Sequence, residues 1–104
     1  MDACVALSTC ANAEDARRIA RALVEERLAA CVNQVPGLLS TYQWQGKLCE
    51  ESEVLLIIKT RRALVPAIAV RFRQLHPYQT PELVALPIEA GAESYLNWLL
   101  ANTK

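Results

Sequence analysis

The order of patterned segments in this chain predicts an α+β domain, with one antiparallel sheet and its helices on one face. Three observations carry that prediction. Stretches of period two alternate with stretches of helical spacing in the order βαββαβ, followed by one further helix. Gln45-Gly46 separates the second and third strands by a turn short enough for a hairpin. The third strand contains Val54-Leu55-Leu56-Ile57-Ile58, which is apolar on both faces and suits a sheet covered on both sides.

Residues 3–10 alternate along a first strand, with Val5, Leu7 and Thr9 on one face and Cys4, Ala6, Ser8 and Cys10 on the other. Asn12 is a good N-cap, and Glu14 and Asp15 follow in the first turn, where the helix dipole favours acids. Ala16, Ile19, Ala20, Leu23, Val24 and Leu28 recur at helical spacing, so the helix is expected over residues 13–29. The second strand begins at Cys31, is interrupted by a kink or bulge at Pro36-Gly37, and resumes with Leu38, Ser40, Tyr42 and Trp44 on one face. The hairpin that follows places Trp44 near Lys47 and Tyr42 near Cys49. A second helix starts near Arg62, with Pro66 in its first turn and Leu64, Ile68, Phe72 and Leu75 as its apolar stripe. His76 ends it, because a residue before proline resists helical geometry. Residues 83–87 form a fourth strand, and residues 92–102 a closing helix with Tyr95, Leu96 and Leu99 on its buried side. The result is a split-βαβ, ferredoxin-like sandwich with an extra C-terminal helix.

The 104 residues make a single domain, residues 1–104. Two main helices cover one sheet face, so the two-faced third strand calls for cover on the other, from the closing helix or from a second subunit. The subunit is favoured, because a short helix cannot cover four strands. The chain has eleven basic and eleven acidic residues, a balance that offers no electrostatic reason to expect nucleic acid or an anionic membrane as partner. Arg17, Arg18 and Arg21 follow Glu14 and Asp15 on one helix and read as a solvated face. No apolar run approaches a membrane span, and the N-terminus lacks the pattern of a signal peptide, so a cytoplasmic protein is expected. Cys4, Cys10, Cys31 and Cys49 form no CxxC pair and read as reduced, packed thiols.

The richest chemistry lies in His76-Pro77-Tyr78-Gln79-Thr80-Pro81-Glu82. Two prolines stiffen the segment, and it carries the single imidazole, a side chain that titrates near neutrality and ligates metals. Lys59 is the other unusual residue, a charge closing an apolar strand. It either snorkels to the surface or pairs with Glu82 across a subunit cleft that also receives Tyr42, Trp44 and Tyr78. Such a pair suits a small anion or zwitterion, or serves as a structural ion pair. Trp98 and Tyr95 read as packing residues. HExxH, GxGxxG, Walker A and GxSxG motifs are absent, and no enzyme is expected.

Six segments in order resemble one family over essentially the whole length. They are Glu26-Arg27-Leu28-Ala29-Ala30-Cys31-Val32-Asn33 with Pro36-Gly37, Ser40-Thr41-Tyr42-Gln43-Trp44-Gln45-Gly46-Lys47, Ile58-Lys59-Thr60, the His76–Glu82 segment, Pro87-Ile88, and Tyr95-Leu96-Asn97-Trp98-Leu99. The chain resembles the CutA divalent-cation tolerance proteins. That resemblance implies a compact homotrimer, similar in architecture to the PII signalling proteins, with strand edges sealed between subunits. It implies tolerance of divalent metals, with copper(II) the leading ion, and a metal role for His76. Some bacterial members carry a Cys near the end of the first strand and a second His before the His-Pro-Tyr motif, where this chain has Ser8 and Leu75. Two alternatives stand beside the metal-binding trimer. One is a PII-like regulatory trimer with a small metabolite in an inter-subunit cleft, and the other a trimer that anchors or scaffolds a partner.

Overall fold

The computed structural model describes residues 2–104. Its elements run β1 (Ala3–Cys10), α1 (Ala13–Glu25), β2 (Cys31–Trp44), β3 (Lys47–Arg61), a 3₁₀ turn (Arg62–Leu64), α2 (Val65–Leu75), β4 (Val84–Pro87) and α3 (Glu93–Ala101). The four strands form one antiparallel sheet in the order β2-β3-β1-β4. This is the expected α+β arrangement.

The buried face of β1 presents Cys4, Ala6, Ser8 and Cys10, as the period-two pattern predicts. Across β3 they face Thr60, Ile58, Leu56 and Val54 in register. Ile19 and Leu23 of α1 and Ile68 and Phe72 of α2 close over this layer and make the main core. Helical spacing puts each of those pairs four residues apart on one face. Asn12 caps α1, its side chain accepting from the Asp15 N–H at 2.8 Å.

The first helix stops at Glu25 rather than reaching residue 29. Arg27 adopts a left-handed conformation (φ 59°). The Arg27 N–H then donates to the Val24 carbonyl at 3.0 Å, and the Leu28 N–H to the Leu23 carbonyl at 2.9 Å. This is a Schellman termination, with Leu28 packed in the same core as Leu23. Helical periodicity continues through Leu28 because that contact mimics one more turn.

The hairpin pairs Trp44 with Lys47 and Tyr42 with Cys49, as counted from the sequence. Gln45 (φ 50°) and Gly46 (φ 80°) both take positive φ, the requirement of a type I′ turn. A bulge at Pro36-Gly37 shifts the register between Val35 and Leu38, and Gly37 supplies the positive φ (81°) that it needs. Val35 lies opposite Leu55, and Leu38 opposite Glu53. Odd-numbered residues of β2 before the bulge and even-numbered ones after it therefore share one sheet face. That face is opposite the helices and carries Asn33, Val35, Leu38, Tyr42 and Trp44.

α3 packs at one end of this second face, burying Leu96 and Leu99 against Ala3 and Ala30. Arg61, opposite Ala3, donates to the Thr103 hydroxyl at 2.8 Å and the Leu100 carbonyl at 2.5 Å. Tyr95 was expected on the buried side of this helix. It is exposed instead and stacks obliquely on Trp98 at 5.5 Å. The rest of the face is open in the single chain, with Val84 and Leu86 more than half exposed.

Candidate functional site

The residues singled out in the sequence fall into two places. Tyr42, Trp44, Tyr78 and Glu82 line one cleft of about 700 Å³ between the hairpin and the segment after α2. Lys59 lies six residues from Glu53 along β3, about 20 Å of extended strand. It sits opposite Cys31 and donates from Nζ to the Asn33 side-chain oxygen. Within one chain Lys59 and Glu82 are thus not brought together.

His76 is buried at the junction of α2 and the cleft segment. Its Nε2 is 2.9 Å from the Thr9 carbonyl, which can only accept, so Nε2 carries the proton. Its Nδ1 accepts the Tyr78 N–H at 3.2 Å. The ring is therefore the neutral Nε2–H form, with both nitrogens tied to backbone. Burial lowers its pKa, against the opposing pull of the Thr9 carbonyl. Phe72 meets the ring edge-on at 5.4 Å, and Tyr78 lies tilted at 4.8 Å. As a metal ligand, His76 would have to surrender one of its two backbone bonds. Its evident work here is to fasten the segment after α2 to the end of β1.

That fastening aims Tyr78 across the sheet. Its hydroxyl donates to Glu53 at 2.5 Å, and burial together with this bond raises the phenol above its ordinary pKa. Tyr42 donates in the same way to Glu51, which pushes its phenol up to about 12. Both phenols are consequently donors rather than anions at neutral pH. Glu51 and Glu53 join Glu82 in the lining of the cleft.

Glu53 is 7% exposed, and sequence reasoning passed over it and Glu51. The signal was available in the hairpin count, since a turn at Gln45-Gly46 sets Glu51 opposite Ser40 and Glu53 opposite Leu38. Among the described residues, no three His, Cys, Asp or Glu side chains come close enough to hold one ion together. The donors present are mostly oxygen, a hard set that fits a divalent cation only with further ligands. The four thiols are free, and burial raises those of Cys4 and Cys10, which pack in the interior. Ser8 is fully buried, and its hydroxyl has no hydrogen-bond partner among the described residues. Leu75 is half-buried against the core, and its carbonyl accepts from Arg18 at 2.7 Å.

Residues 4–102 match the CutA1 divalent ion tolerance protein family. The chain belongs to that family. The divalent-cation tolerance protein CutA of Thermus thermophilus is 56% identical over 99 residues, covering 95% of this chain and 96% of its own. Mouse Protein CutA is 52% identical over 94 residues, 90% of this chain, and these span only 53% of the mouse protein. A solved Thermus thermophilus divalent cation tolerance protein superposes with a TM-score of 0.95 at 54% identity, covering 98% of this chain and 99% of that one.

CutA relatives carry names from more than one compartment. One from Arabidopsis thaliana is named chloroplastic and is 46% identical over 92% of this chain and 53% of its own. A solved Archaeoglobus fulgidus structure is titled a periplasmic divalent cation tolerance protein, with a TM-score of 0.93, 34% identity, and coverage of 98% and 99%. Membership in the CutA1 family therefore does not fix the cytoplasm as the compartment. Among the described residues of this chain, no helix is long and apolar enough to cross a membrane.

Proposed function

We propose that this chain is a cytoplasmic, non-enzymatic, homotrimeric divalent-cation tolerance protein that binds the cation at the cleft between its hairpin and the His76–Glu82 segment. The family match over residues 4–102 carries the reading. Support for the trimer comes from the sheet face opposite the helices, where Val35, Val84 and Leu86 are exposed beside half-buried Leu55 and Ile57. An apolar face of this kind is stable when another copy covers it, in the PII-like manner. The carboxylates of the cleft lining, Glu51, Glu53 and Glu82, are the candidate donors. Because the three do not converge on one ion within a chain, water or a second subunit completes the set. Copper(II) is the leading ion, because a given donor set, oxygen included, generally binds it most tightly among first-row divalent metals. His76 supports the site by holding Tyr78 in place.

Calorimetric titration of the assembled protein with copper(II) and manganese(II) tests this. Copper is expected to bind more tightly, and the Glu53→Gln/Glu82→Gln double variant to lose at least tenfold in affinity. His76→Asn should retain the stoichiometry. Loss of copper binding in His76→Asn with the carboxylate variant unaffected would return the ion to the imidazole.

A second reading is favoured by Tyr42, Trp44 and Tyr78, three aromatic side chains in the lining of one 700 Å³ cleft. Aromatic walls of that size suit a small organic molecule, as in a regulatory trimer that senses a metabolite.

A further inference from the structure

We infer that the organic ligand suited to this cleft is a cation, an organic ammonium ion, rather than an anion or a zwitterion. The inference rests on the second reading above and names the chemistry of its ligand. Within its own chain Lys59, the residue that would draw an anion, is bonded to Asn33 and lies outside the lining. Among the described residues of one chain no Lys or Arg belongs to the lining, whereas three carboxyl groups do, from Glu51, Glu53 and Glu82.

Glu53 sharpens the point. It is more than nine-tenths buried, and among the described residues the hydrogen bond to its carboxyl group comes from a neutral phenol, Tyr78. Buried carboxylates are ordinarily matched by a cation. The ion pairs among the described residues lie elsewhere, on α1 and between Glu26 and Arg71. Among the described residues of its own chain Glu53 thus meets the cleft without a countercharge, and Glu51 is likewise engaged by a phenol, Tyr42.

The aromatic lining has the same preference. The face of a Trp or Tyr ring attracts an ammonium group within about 6 Å, and Trp does so most strongly. Trp44 and Tyr42 are both partly exposed on the same sheet face as Glu51 and Glu53. A quaternary or primary ammonium in the cleft would meet carboxyl oxygens and ring faces together. An anion would meet the repulsion of three carboxyl groups, set against neutral donors alone, among them Ser40, Thr41, Gln79 and Thr80 beside two phenols already committed to their carboxyl partners.

Three probes of similar shape and different charge decide it: tetramethylammonium, tert-butanol and pivalate. Each is titrated into the assembled protein by calorimetry and followed by Trp44 fluorescence in a Trp98→Phe background. Tetramethylammonium is expected to bind saturably, with the other two at least tenfold weaker. Glu53→Gln, whose amide oxygen still accepts from Tyr78, should weaken tetramethylammonium about tenfold. Copper(II) should compete with it. Pivalate or tert-butanol binding as tightly as the ammonium, or Glu53→Gln binding it unchanged, would overturn the charge preference alone. If none of the three binds, the metabolite reading falls with it. Copper binding at the carboxylates remains separately measurable.

Discussion

His76 shows how far one residue can be read before its surroundings are known. A lone imidazole beside a proline advertises metal chemistry, but its two nitrogens are occupied by the Thr9 carbonyl and the Tyr78 N–H. No linear pattern signals the first of these bonds, because Thr9 is 67 residues away. The consequence is a definite pH dependence. Burial holds the folded-state pKa of His76 below its unfolded value. Below about pH 6.5 the unfolded chain takes up a proton that the folded chain resists, so stability is lost as pH falls through that window. Above it, this contribution is fully present. Protonation would also place an N–H at Nδ1 against the Tyr78 N–H that it now accepts. Thermal denaturation from pH 7.5 to pH 5 should therefore show a steeper loss of Tm in the wild type than in His76→Gln. Parallel pH profiles for the two would contradict the neutral, doubly bonded ring.

At the level of elements, the sequence was most legible where periodicity and turn chemistry agree. The hairpin register follows from Gln45-Gly46 and the counted pairs Trp44–Lys47 and Tyr42–Cys49, all of which the structure contains. The termination of α1 was not legible, because the left-handed position is filled by Arg27 rather than Gly, the usual marker. The exposure of Tyr95 escaped for a related reason. Three residues at helical spacing on a short helix do not say which neighbour they face, and Leu96 and Leu99 are the ones that pack with Ala3 and Ala30. Gly37 offers a direct test at this scale. Its φ of 81° costs an L-residue about 1–2 kcal/mol, although a methyl group there would meet no atom within 4 Å. Gly37→Ala should lower Tm by roughly 4–16 °C in a domain of this size. An unchanged Tm would mean that the bulge relaxes into a different register.

For the whole molecule, the decisive property is that one sheet face is finished and the other is not. The main core closes between α1, α2 and the sheet, while α3 reaches only one end of the opposite face. The chain measures 44 × 26 × 22 Å, drawn out along a hairpin whose strands have 14 and 15 residues. The apolarity of β3 on both faces foretold the open surface. Cover by another copy, as proposed, would rest on contacts between chains, and no periodicity within one chain describes those. Light scattering at micromolar concentration should give the mass of three chains. Leu86→Asp is the informative variant, since Leu86 is 55% exposed and its loss should leave the fold of one chain intact. The variant is expected to keep its circular dichroism spectrum while its mass falls. An unchanged mass would place the interface elsewhere.

The bulge at Pro36-Gly37 has an evolutionary side. Its extra residue sits between two stretches of ladder, one anchored in the core and the other at the Gln45-Gly46 turn. A descendant lacking that single residue could keep every cross-strand partner on either side, with a regular ladder between them. It would forfeit the added twist that a bulge imparts to its hairpin. Tyr42 and Trp44 would stay on their face but swing relative to Tyr78, which hangs from a different segment altogether. Chain length at this one spot can therefore reshape the cleft between the hairpin and Tyr78 while the core residues stay as they are.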